Sequence, residues 1–68
     1  MAVYTIARRN NAGDDWKNVL TGNKDDALDY LDYIDSGADF REYEVSIDGE
    51  LLYSGNAYSC GYMIEEPA

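Results

Sequence analysis

The stretch "REYEVSIDGELLYSG" (Arg41–Gly55) carries the clearest structural instruction in the chain. Tyr43, Val45 and Ile47 alternate with Glu42, Glu44 and Ser46, the period-two pattern of a strand with one buried and one wet face. Asp48-Gly49 then marks a hairpin turn, and Leu51, Leu52 and Tyr53 supply the returning strand. Alternation leaves the register open. A two-residue turn pairs Val45 with Leu52, whereas a three-residue turn with a bulge pairs it with Leu51.

Beyond the hairpin, "AYSCGYMI" (Ala57–Ile64) reads as a last strand, with Gly61 marking a bulge or a close approach, and the tail "EEPA" frays. On the N-terminal side, "AVYTIAR" (Ala2–Arg8) is dense in β-branched and aromatic residues and runs into the polar "NNAGDD", a first strand ending in a loop. "WKNVLTG" (Trp16–Gly22) reads as a second strand, although Trp16, Val19 and Leu20 also fit a helical turn. Asn23 then occupies an N-cap position, Asp26 its capping-box partner and Gly37 a stop, which predicts a helix of about 13 residues. Ala27, Tyr30, Leu31 and Ile34 cluster on one side of it. Asp25, Asp29 and Asp32 lie opposite, with Asp26 and Asp35 on the flanks. The expected architecture is a single α+β domain over residues 1–68, of order ββαβββ, one amphipathic helix packed on one face of an antiparallel sheet. No internal repeat, linker or low-complexity segment is evident.

With 68 residues, such a core buries only about 60% of the surface of the unfolded chain. A single cysteine and no histidine leave no internal disulfide or zinc site to reinforce it. Fourteen acidic residues against five basic ones give a net charge of −9, past the magnitude of about 2 to 8 that keeps a small domain in solution. A field of that sign repels nucleic acid and anionic membranes and attracts basic proteins. No cleavable leader pattern and no run near the ~20 apolar residues of a membrane span is present. Together with the lone thiol, this predicts a cytoplasmic protein.

The predicted helix concentrates the charge at an energetic cost. Asp25/Asp29, Asp26/Asp29, Asp29/Asp32 and Asp32/Asp35 are like-charge neighbours, each destabilising by roughly 0.2 to 0.5 kcal/mol. Asp32 and Asp35 also sit near the negative end of the helix dipole, where a cation would be favoured. Helix stability therefore does not account for them, but spacing offers a reason. The aspartates fall about one per 3 to 4 Å of helix axis, close to the ~3.4 Å per phosphate along one DNA strand. Asp14, Asp15, Asp39, Glu42, Glu44 and Glu50 could extend the ridge into a stripe. The candidate partner-binding residues are Asp25, Asp26, Asp29, Asp32, Asp35, Asp39, Glu42 and Glu44. In size, charge and its carboxylate-lined helix the chain resembles the small phage-encoded DNA-mimic inhibitors, among them acidic anti-CRISPR and anti-restriction proteins. That resemblance implies a non-enzymatic inhibitor inside a bacterial host. Its partner would be a basic nucleic-acid-binding protein, whose groove it fills with carboxylates in place of phosphates. Direct nucleic-acid binding and membrane binding are not expected.

Competing readings weigh against this one. The aspartates could be a solvated face whose repulsion salt screens. An EF-hand loop with Gly37 as its glycine fails, because Ile34 and Tyr43 would fall at ligand positions. A looser carboxylate site for a divalent cation is a third reading. Cys60 has no activating histidine and reads as core. Catalysis by paired carboxylates needs a cleft that so short a chain hardly forms, so no enzyme activity and no cofactor are expected. Tyr30 and Trp16 read as core, Tyr33 as marginal to the wet helix face. Tyr43, Tyr53, Tyr58 and Tyr62 are expected to line one sheet face or edge. Such a face defines the alternative function, an interaction or self-assembly module in which the acids serve solubility.

Overall fold

The computed structural model describes residues 2–35 and 41–65. Four strands, β1 (Tyr4–Arg9), β2 (Lys17–Gly22), β3 (Glu42–Ile47) and β4 (Glu50–Gly55), and two helices, α1 (Lys24–Asp35) and α2 (Ala57–Glu65), follow one another as ββαββα. The sheet is antiparallel, in the order β2-β1-β3-β4. The α+β class is as expected; the order ββαβββ and the single helix are not.

The predicted hairpin forms with a register that differs from both alternatives. Asp48 and Gly49 take φ of 51° and 86°, the pair of positive values that defines the two-residue turn matched to strand twist. Ile47 faces Glu50 and Ser46 faces Leu51, but Leu52 then bulges, so that Val45 faces Tyr53. An extra residue inside a period-two strand moves every later side chain to the other face. Tyr53 is thereby placed on the buried side with Val45 and Tyr43. Asp48 also fastens the start of β1, because Val3 N–H donates to its carboxylate at 2.8 Å and its own N–H donates to the Val3 carbonyl at 2.8 Å.

Residues 57–64, expected to be a strand, are helical. Asn56 caps them: its side-chain oxygen accepts from Ser59 N–H at 2.8 Å and its carbonyl from Cys60 N–H at 3.0 Å. Ala57, Cys60 and Ile64, at helical spacing, are the buried residues of α2, whereas Tyr58 and Tyr62 face out. The strand propensity of tyrosine is a weak preference, and burying one apolar stripe outweighs it. Gly61 marks no bulge.

The hydrogen-bond registers reveal an internal repeat. In β1–β2, Tyr4 faces Gly22 and Ile6 faces Leu20, then Val19 bulges and Ala7 faces Asn18. In β3–β4, Tyr43 faces Gly55 and Val45 faces Tyr53, then Leu52 bulges and Ser46 faces Leu51. Between the central strands, Tyr4 faces Ile47, Ile6 faces Val45 and Arg8 faces Tyr43. An approximate twofold axis through the Ile6–Val45 pair exchanges the other two. The chain is two ββα units, differing most in the connection between their strands: residues 10–16 in the first, Asp48-Gly49 alone in the second.

Both helices cover the same face of the sheet, α1 over β1 and β2, α2 over β3 and β4, and they pack against each other. Ile6, Val45 and Tyr43 from the sheet, Ala27, Leu31 and Ile34 from α1, and Ala57, Cys60 and Ile64 from α2 make one core. Among the described residues, no helix lies over the other sheet face. Alternation from the buried residues places Thr5, Arg9, Glu42, Glu44 and Ser46 there. Among the described residues, no helix is long and apolar enough to cross a membrane.

Candidate functional site

The acidic residues divide among three surroundings. Asp26 completes the predicted capping box: it accepts from Asn23 N–H at 3.2 Å and gives its own N–H to the Asn23 side chain at 2.8 Å. A Cβ at residue 22 would collide with that carboxylate, so the glycine before the cap is needed for Asp26 to close back. Its charge is spent on the helix N-terminus, where it complements the positive end of the dipole. Asp14 likewise closes the first loop, accepting from Asn11 N–H at 3.2 Å.

Glu42 and Glu44 lie on the uncovered sheet face, across the molecule from α1. Glu42 is held at 2.8 Å and 3.2 Å by the guanidinium of Arg9, which stacks 4.4 Å over the Trp16 ring. That trio ties β1, β3 and the loop before β2 together. Trp16, expected in the core, sits on this half-buried flank. Asp39 lies outside the described residues; Asp35 closes α1, and only its backbone is described.

Asp25, Asp29 and Asp32 remain, and all are exposed on the outward side of α1. Among the described residues, no cation forms an ion pair with any of them. Ala27, Leu31 and Ile34 are buried on the opposite side and Tyr30 is half-buried, as the amphipathic reading requires.

The acidic ridge adjoins a groove of about 430 Å³ between the two helices. Leu28, Leu31, Ala57 and Gly61 form its floor; Asp29 and Asp32 contribute from α1; Tyr58, Tyr62 and Glu65 contribute from α2. Tyr58 and Tyr62 are 67% and 57% exposed. They also bound a second recess beside Tyr53 and Met63, so they stand as a crest between two hollows. The tyrosines expected on one sheet face or edge therefore do not share one: Tyr43 is core, Tyr53 is half-buried under the helices, and Tyr58 and Tyr62 are on α2. Because residues 57–64 read as a strand, the sequence places Tyr58 and Tyr62 on a sheet rather than on a helix beside the acidic ridge and does not point to Glu65. The pointer was there, since Ser54-Gly55-Asn56 before α2 repeats Thr21-Gly22-Asn23 before α1, and a helical reading sets residues 58, 62 and 65 on one side.

Cys60 is fully buried, its thiol directed at the Tyr43 carbonyl at 3.6 Å. Burial pushes its pKa from 9.0 up to about 11, with a smaller opposing pull from the hydrogen bond to the Gly55 backbone. A neutral, enclosed thiol is a packing residue, as the sequence suggested. Among the described residues, no three Cys, Asp or Glu side chains converge as metal ligands would. Comparison with protein families, with characterised proteins and with solved structures finds no match.

Proposed function

We propose that the protein is a non-enzymatic inhibitor that binds a basic nucleic-acid-binding protein through the outward face of α1 and competes there with DNA. The observation that supports this most is the set of exposed carboxylates Asp25, Asp29 and Asp32, which no described cation pairs with and which neither the cap nor the sheet uses. A ridge of like charge that weakens its own helix is accounted for by a cationic surface elsewhere. The resemblance to phage-encoded DNA mimics makes a bacterial defence protein the expected target. Association should be fast and should weaken steeply with salt.

The test is capture of lysate proteins on the immobilised chain, followed by elution with duplex DNA. The wild type should retain proteins that DNA displaces, and Asp29→Asn/Asp32→Asn should lose them. Equal retention by the double variant would rule out this face.

A second reading has one observation in its favour, the two exposed tyrosines on α2. It makes the chain an interaction or self-assembly module anchored by those rings, with the acids serving solubility. Partner or self-association through α2 would persist in half-molar salt, where the ridge would be screened.

A further inference from the structure

We infer that the groove between α1 and α2 is a receptor for an arginine side chain of the cationic partner. The inference rests on the reading of α1 as the binding face and makes it more specific. Three features of the groove agree on this occupant. Its floor is apolar and suits an aliphatic stem. Its α2 wall presents two exposed phenol rings, over which a planar guanidinium stacks. Its rim carries the carboxylates Asp29, Asp32 and Glu65, which take the N–H fork of a guanidinium in a bidentate pair that an ammonium cannot form.

The internal twofold points to the same place. Gly61 on α2 is the twin of Leu28 on α1, counting from the equivalent caps Asn56 and Asn23. Glycine inside a helix costs about 1 kcal/mol relative to alanine, so its presence calls for a reason. Helix packing does not supply one, because a Cβ at residue 61 would meet Leu31 Cβ at 3.9 Å, an ordinary contact. The missing side chain does leave the groove floor open beside Tyr58 and Tyr62. A leucine there, as in the other unit, would fill it.

The experiment compares hexa-arginine with hexa-lysine, peptides of equal length and charge, titrated against the full chain at low salt by calorimetry. Hexa-arginine should bind tighter by about two- to fivefold, the size of an exposed cation–π contact. Gly61→Leu should bring the two peptides to equal affinity, and thermal melting would verify that it folds. Gly61→Ala, which favours the helix, should narrow the preference and covers the case in which the leucine does not fit. Equal affinities in the wild type, or a preference that survives both Gly61 variants, would overturn the arginine receptor. The acidic-face reading fails separately, if Asp29→Asn/Asp32→Asn binds both peptides as the wild type does.

Discussion

The two ββα units run the same backbone programme and present opposite surfaces. Each has a bulge at the equivalent place, a small residue, glycine and asparagine before the helix, and a buried residue at the equivalent helical positions: Ala27 and Leu31 in one, Cys60 and Ile64 in the other. Outside, Asp25, Asp29 and Asp32 of α1 are matched by Tyr58, Tyr62 and Glu65 of α2. The shared features are the ones that touch backbone or core. The outer residues that differ face solvent, where the fold imposes little. A bulge, a cap and a buried stripe are enough to fix this unit, and its outer surface is free to be charged in one copy and aromatic in the other.

Removing buried side chains tests the equivalence most severely. Leu31→Ala and Ile64→Ala, twin positions, should each cost about 2 to 5 kcal/mol, a large share of the stability of so small a domain. Urea unfolding would reveal it. A loss under about 1 kcal/mol for Ile64→Ala alone would mean that α2 is not docked as its twin is.

The next effect depends on pH and sharpens a difference between the twins, Ala27 against Cys60. The thiol titrates higher folded, at about 11, than its ordinary value of 9.0. Between those values the unfolded chain has released the proton and the folded chain has kept it. The contribution is therefore complete below pH 9 and shrinks as pH rises, by an amount on the order of 2 kcal/mol at pH 11. Cys60→Ala, which restores the residue found in the other unit, should flatten that alkaline decline. If wild type and variant lose stability in parallel from pH 9 to 11, the thiol is not enclosed as described.

Cap removal should be nearly symmetric. Asn23→Ala and Asn56→Ala should each cost about 1 kcal/mol, because each removes the side-chain acceptor of one helix N–H, that of Asp26 in the first unit and of Ser59 in the second, while the Asn23 backbone N–H that Asp26 accepts from is kept. Melting temperatures would rank them. An Asn56→Ala variant as stable as the wild type would argue that α2 starts without its cap. The last effect has the opposite sign. Asp29→Asn/Asp32→Asn should raise stability by about 1 kcal/mol at low salt, as the four like-charge pairs on α1 are removed, and by little at high salt. Loss of stability in that variant would show the ridge to be structural.

The first unit's helix was legible because every signal agreed: Asn23 and Asp26 at cap spacing, apolar residues at 3.6 periodicity, aspartates opposite. The hairpin was legible for the same reason. In α2 the signals conflicted, since Tyr58, Tyr62 and Ile64 favour strand locally while Asn56 and the buried spacing favour helix, and only contact with α1 and the sheet decided between them. The candidate site was half visible. Exposure of Asp25, Asp29 and Asp32 follows from helical periodicity, but the separate duties of Asp26 and Glu42 depend on partners that composition cannot supply.

By itself the sequence determined the α+β class, the hairpin turn, the first helix with its cap, and the charge of its outer face. These are set by residues within a few positions of one another. Tertiary structure alone decided the bulge register, the second helix, the internal twofold, and the meeting of carboxylates with tyrosines across the groove. Each of those depends on which apolar surface is buried against which, a contest between distant segments that no local pattern records.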